Sequence, residues 1–221
     1  MHTQVMDATF DEMSAATDRL LQAEITELTA REQALLNLTA DVCRQTLGLP
    51  FARHVLAALD SGVSADDLRE LLRFVAYDSG YPAAQSALAR LVELEREHDL
   101  PRPTGQTHEV NASGSGSPLP ERMRQEVAAL DAPFARYMDL QSRMRAGMRL
   151  LSVRERAFIT MTVDVLYQTL EESFRAHVGR ALGAGATPED LRAVVRFSAR
   201  FGMTTAWRAL HVLDDLLTGA A

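Results

Sequence analysis

Residues 28–92 recur when 123 is added to each number. Leu28-Thr29-Ala30-Arg31-Glu32 returns as Leu151-Ser152-Val153-Arg154-Glu155, and Asp41-Val42 as Asp164-Val165. Gln45-Thr46-Leu47 returns as Gln168-Thr169-Leu170, His54-Val55 as His177-Val178, and Arg73-Phe74 as Arg196-Phe197. The register holds without insertion over about 60 residues, which marks a tandem duplication and not a solenoid, whose units run roughly 20–50 residues. Two copies in register imply one fold made twice. Polar residues kept in both copies become candidates for a shared task.

Periodicity makes both copies helical. Thr29-Ala-Arg-Glu32 and Ser152-Val-Arg-Glu155 are capping boxes, in which the hydroxyl caps the backbone and the Glu reaches back. The first should open a helix running through Leu35, Leu38 and Val42 to about Leu47. Ser64-Ala-Asp-Asp67 and Thr187-Pro-Glu-Asp190 cap further helices, the second with Pro in its first turn. A helix over 8–27 carries Phe10, Met13, Leu20, Leu21 and Ile25 as its apolar residues. In the second half, one helix starts near 121 and breaks at Asp131-Ala-Pro133, and another runs from Phe134 to Leu150. No stretch alternates with period two, so the chain is expected to be all-α. Residues 98–120, rich in Gly, Ser, Pro and Thr, read as a flexible linker. The domains are therefore expected at 1–97 and 121–221.

Bulk properties exclude several function classes. A net charge of −7 argues against nucleic acid as a partner, since binding phosphates needs a basic face. All 23 basic residues are arginine, so no lysine Schiff base can form. Cys43 is the only cysteine, which leaves no disulfide, redox pair or cysteine-rich zinc site. No His pair has helical ligand spacing, so no metal is expected. No apolar run approaches the ~18 residues of a membrane span. The first residues lack a basic start followed by an apolar run, so a cytoplasmic location is expected.

Among polar residues kept in both copies, His54 and His177 can hand a proton to a developing carbanion or enolate near neutral pH. Asp41 and Asp164 lie within otherwise apolar helices, each followed four residues on by Gln45 or Gln168, which places acid and amide on one helical face. Such a carboxylate can act as acid or base, or anchor a buried polar network with Thr46 or Thr169. Arg31, Arg154, Arg73 and Arg196 can grip a substrate carboxylate, although pairing with the many acids is the commoner fate. Tyr77 and Tyr81 can line a pocket at the helix break, or pack in the core. Trp207 and the methionines over 138–148 read as core or subunit contacts.

The ordered combination of Leu28-Thr-Ala-Arg-Glu32, His54-Val-Leu-Ala-Ala-Leu, Gly62, the acidic cap ending at Asp67, and Gly80-Tyr-Pro82-Ala-Ala resembles the carboxymuconolactone decarboxylase family. The resemblance implies two copies of the alkyl hydroperoxidase D-like helical fold and a homo-oligomer, dimer or trimer. It also implies a small-molecule substrate with no cofactor, and no nucleic acid or membrane partner. Its thiol-peroxidase branch uses Cys-x-x-Cys-x-x-x-His. The two thiol positions fall on Leu47 and Pro50 before His54, and on Leu170 and Ser173 before His177, so that chemistry is not expected. The decarboxylase branch implies a Glu where Pro50 and Ser173 stand, and a Tyr where Asp78 stands. In the same 123-residue register the second copy reads Met203-Thr204-Thr205 in place of Gly-x-Pro. What the resemblance implies is an enzyme acting on a lactone, keto acid or polyketide-like intermediate. It would work by decarboxylation, or by a related isomerisation or cyclisation. His54, Asp41, His177 and Asp164 would be catalytic, and Arg73, Tyr77, Gln45 and Tyr81 would bind substrate. The alternative is a non-catalytic scaffold or small-molecule binder of the same fold.

Overall fold

The computed structural model describes residues 7–105, 108–113 and 118–219. The stretch read for a leader begins in residues 1–6, and part of the linker (106–107 and 114–117) likewise lies outside the described residues. Among those described, every regular element is helical. The first half holds α1 (Ala8–Glu24), α2 (Ala30–Arg44), α3 (Leu49–Asp60), α4 (Ala65–Ser79) and α5 (Tyr81–Glu97). The second holds α6 (Glu121–Leu130), α7 (Ala132–Ala146), α8 (Val153–Tyr167), α9 (Glu172–Gly183), α10 (Pro188–Ser198), a 3-10 turn (Ala199–Phe201) and α11 (Met203–Thr218). Helices α7–α11 repeat α1–α5, and α6 is additional.

All four capping boxes form, at Thr29/Glu32, Ser64/Asp67, Ser152/Glu155 and Thr187/Asp190. Replacing such a cap by Ala typically costs about 1 kcal/mol. The capping acids do a second job. Arg31 grips Asp67 with both terminal nitrogens (2.8 and 3.1 Å) and turns its Nε to Glu155 of the other copy at 2.7 Å. Arg154 grips Asp190 (3.0 Å twice) and turns its Nε to Glu32 at 2.7 Å. Residue i meeting j, and j's copy meeting i's copy, is the signature of a two-fold interface. Here the two-fold is internal and relates one half of the chain to the other.

The axis runs between α2 and α8. Their N-terminal ends meet through the Arg–Glu pairs. Their C-terminal ends meet through Ala40, Cys43, Val163 and Leu166, and through the Tyr167 hydroxyl, which donates to the Cys43 carbonyl at 3.3 Å. The two helices therefore lie side by side in the same direction. Around them the halves share one apolar core, with Leu35, Phe51 and Leu71 from one copy and Phe158, Phe174 and Phe197 from the other. The leading helix of each copy reaches across. Asp78 of α4 pairs with Arg145 of α7, and Asp18 of α1 pairs with Arg200 after α10.

Several expectations change here. Helix α2 stops at Arg44, because Gln45 adopts a left-handed conformation (φ 55°) and its N–H and that of Thr46 close back on Val42 and Asp41. Gln168 does the same at φ 61°. Helix α7 starts at Ala132 and stops at Ala146 rather than Leu150. Phe10, Met13 and Leu20 of α1 are exposed, as is Trp207, which removes the core reading of Trp207 and leaves the subunit-contact one. Residues 98–120 carry no helix among those described, yet they are tied down in places: Thr104 bonds the Asp66 carboxylate and His108 Nε2 bonds the Met144 carbonyl. The repeat register also slips by one residue. Buried Ala84, Ala87 and Leu91 of α5 correspond to buried Ala206, Ala209 and Leu213 of α11, an offset of 122. Gly202 is thus the counterpart of Gly80 at the helix start, and the second copy keeps this Gly while losing only the Pro.

The paired caps carry a pH signature. The Arg154 guanidinium holds the Asp190 carboxyl down at about 2, against the effect of burial and with help from the Thr187 backbone. Burial pushes Asp67 up, but Arg31 and the Ser64 cap outweigh it and leave it lowered. An unfolded Asp titrates near 3.9, so this stabilisation is complete above about pH 4 and is lost as pH falls through the folded value. The urea midpoint of the native chain should therefore fall more steeply between pH 4 and 2 than that of Asp190→Asn. Parallel curves would remove the assignment.

Candidate functional site

The slip of Gln45 into the left-handed region positions the site. It turns the chain sharply after α2, so that Thr46 folds over the last turn and α3 lies back against it. His54 Nδ1 then sits 2.6 Å from Asp41 Oδ2, and the Thr46 hydroxyl donates to Asp41 Oδ1 at 2.6 Å. The second copy is built the same way. His177 Nδ1 is 2.6 Å from Asp164 Oδ2, and the Thr169 hydroxyl is 2.6 Å from Asp164 Oδ1. Ser173 adds a further bond to Asp164 Oδ1 at 2.8 Å, where the first copy has Pro50.

Each aspartate is almost fully buried. Each histidine keeps part of its ring in solvent, 20% for His54 and 12% for His177. The carboxylate accepts from Nδ1–H and so fixes the tautomer. Nε2 is left without a hydrogen bond among the described residues. Because α2 and α8 are parallel, both dyads lie at the same end of the molecule.

The sequence-derived companions are spread over several places. Gln45 and Gln168 do not stack over the aspartates; they bond the carbonyls of Val42 (2.7 Å) and Val165 (2.6 Å), and Gln168 also that of Thr205. Tyr81 stands half in solvent at the start of α5. Arg73 makes no hydrogen bond or ion pair with the His54 dyad among the described residues, and its Nε is buried without a partner there. Tyr77 lies under the Arg145 guanidinium, 4.9 Å from it, beside Asp78. That cluster belongs to the other dyad, since the Asp78 carboxyl senses His177 and Asp164. The crossing of the halves, invisible in a linear sequence, carries α4 of the first copy to the dyad of the second. Burial pushes the Asp78 carboxyl up, with the Arg145 charge opposing, and burial likewise lowers Arg145. The two are 3.0 Å apart, out of line for a hydrogen bond at Asp78 Oδ2.

Cys43 is buried, and that burial pushes its thiol up to about 12, so it is not a thiolate nucleophile at neutral pH. Among the described residues no group of three His, Cys, Asp or Glu side chains is arranged to hold a metal. No described helix is long and apolar enough to cross a membrane.

Residues 11–93 and 132–215 each match the carboxymuconolactone decarboxylase family. The chain belongs to that family. The two matches fall on the two structural copies, so this is a tandem member with two carboxymuconolactone decarboxylase-family repeats in one polypeptide. No curated protein sequence matches it. As a decarboxylase-family chain without either motif thiol, it retains the histidine of each copy on an aspartate. Sequence reasoning had selected both residues, but not their contact.

A separate cleft escaped sequence reasoning. A cleft of about 180 Å³ opens between α1, α2 and the α10 end, lined by Asp18, Gln22, Gln33, Asn37, Phe197 and Arg200. Asn37 lies one turn before Asp41 on α2. No linear signal joins these residues, because α1 and α10 come from different copies.

Proposed function

We propose that this chain is a cofactor-independent acid–base enzyme. It would act on a small lactone, keto acid or polyketide-like intermediate, by decarboxylation or a related proton transfer. The observation that carries the proposal is the Asp–His dyad, built twice with the same 2.6 Å contact from residues 123 positions apart. Asp41 orients His54 and stabilises the imidazolium, and Thr46 holds Asp41. Nε2 is the working atom. In a decarboxylation the bond to the departing carboxylate breaks and its electron pair moves toward the substrate's own carbonyl, giving an enolate. The Nε2–H proton of His54 then closes the product carbon, and solvent restores the proton to the ring. In an isomerisation the same nitrogen removes a proton from one carbon and returns it to another. The absence of both motif thiols in each copy favours this branch of the family over its peroxide chemistry.

A non-catalytic scaffold is the competing reading. It is favoured by one observation: Thr46 and Thr169 satisfy the aspartates as a purely structural network would. Turnover after His54→Ala separates the two readings, because a scaffold is indifferent to the exchange.

We also infer a homo-oligomer, a dimer or trimer. Met203, Trp207 and Leu210 form a stripe on the outer face of α11 and are 69%, 64% and 42% exposed. Contiguous apolar surface of this kind commonly marks an interface. Sedimentation should give a multiple of the 24.4 kDa chain, reduced by Trp207→Glu; a native monomer would end this inference.

A further inference from the structure

The internal two-fold supplies a control within the molecule, since any feature present in one half can be compared with its copy in the other. We propose that the cleft between α1, α2 and Arg200 is the ligand subsite of the His54 dyad, that it takes a small hydroxy- or enol-bearing carboxylic acid, and that its counterpart beside His177 is closed. The proposal rests on the acid–base reading of the dyad given above.

The closure is a matter of three exchanges. Gln22 of the open half corresponds to Arg145, Asn37 to Thr160, and Arg200 to Tyr77. In the second half the Arg145 guanidinium fills the space. It lies 3.7 Å from the Phe74 ring centroid, covers Tyr77, and pairs with Asp78, leaving 13% of its side chain exposed. Thr160 is fully buried, and its hydroxyl is spent on the Arg156 carbonyl at 3.0 Å. Among the described residues, the one acceptor left without a hydrogen bond in that cluster, Asp78 Oδ2, already lies 3.0 Å from the Arg145 guanidinium that fills the space. In the first half the shorter, neutral Gln22 leaves about 180 Å³ open.

Three properties of that space define its occupant. Asn37 Oδ1 is buried and has no hydrogen-bond partner. A buried acceptor left unpaired costs about 1–3 kcal/mol, and a ligand hydroxyl, enol or N–H would satisfy it. The Arg200 guanidinium faces the cleft with Phe197 and Phe201 beneath it, and its acidic partner is Asp18, 2.9 Å away and 45% exposed. So exposed a pair is weak, and an incoming carboxylate can take the place of Asp18 with bidentate geometry. The volume is below the roughly 300–1,000 Å³ of drug-sized pockets, which restricts the ligand to a few carbons between the two groups. Asn37 stands one helical turn before Asp41 on α2, so a ligand anchored at Asn37 lies on the helix that carries the dyad's carboxylate.

The test uses 4-hydroxybutanoate, with butanoate as the partner lacking the hydroxyl, titrated into the full-length protein and followed by proton–nitrogen correlation spectra. The expected result is saturable shifts at the Asn37 and Gln33 side-chain amides and at Arg200 Nε–H, none around Thr160, and about fivefold or greater weakening for butanoate. Gln22→Arg copies the residue that closes the other half, at an exposed position where folding is not at stake, and should abolish the shifts. Absence of saturable shifts, shifts centred elsewhere, or shifts that persist in Gln22→Arg overturn the proposal. The subsite and the dyad's role fail separately. Binding here with turnover indifferent to His54→Ala leaves the subsite and removes the acid–base role; His54-dependent turnover without binding here removes only the subsite.

Discussion

His54→Ala is expected to lower turnover about 10²–10⁴-fold, the usual contribution of a positioned general acid or base, with helicity and unfolding midpoint close to native. The ring is partly exposed and its one hydrogen bond goes to Asp41, so its removal disturbs little packing. Asp41→Asn is the sharper companion. It preserves shape and the Thr46 bond but no longer stabilises an imidazolium, and the amide can hold the ring in the wrong tautomer. It should lose activity through kcat with little change in KM. The measurement is the conversion rate of the metabolite that accumulates in a strain lacking this chain. His177→Ala should be far milder, because the space beside that dyad is occupied by Arg145 and Asp78.

The second large effect is on stability. Phe51 is 1% exposed in the shared core, and Phe51→Ala should cost about 3–5 kcal/mol, a large part of the roughly 5–15 kcal/mol that holds a domain folded. The spread of the loss matters as much as its size. Two independent domains, as the duplication and linker suggest, would confine it to residues 1–97. One core through both copies, with α1 and α7 exchanged and Arg31 and Arg154 bridging, spreads it over the whole molecule. Hydrogen exchange should therefore show α8, α10 and α11 losing protection together with α2 and α4. Loss of protection in the first half alone would mean that the copies are energetically separate.

Much of this was legible in sequence, because the duplication doubled every local signal. The capping boxes at Thr29 and Ser152 fixed where the two central helices begin. His54, Asp41 and their copies stood out simply by recurring. What escaped was set by contacts between the copies. Arg73 and Tyr77 are close to His54 along the chain, yet Tyr77 lies with the cluster beside the opposite dyad, because α4 crosses the two-fold. The spacing of Gln45 from Asp41 predicts a helical residue. Its left-handed conformation is imposed by the reversal that brings α3 back, which outweighs the cost of positive φ in a non-glycine residue. The shift from 123 to 122 near Gly202 arises where α10 ends in a 3-10 turn, a change of winding that residue types alone do not announce. The cleft at Asn37 needed all of these at once.

The central claim, acid–base chemistry at His54, is tested most directly by comparing the metabolites of the native producer with those of strains carrying His54→Ala or His177→Ala at unchanged protein level. The account predicts that one small carboxylic acid or lactone accumulates in the His54→Ala strain and not in the His177→Ala strain, and the mass difference to its missing product states whether carbon dioxide is lost. Identical metabolites in all three strains, or accumulation only after His177→Ala, would contradict it.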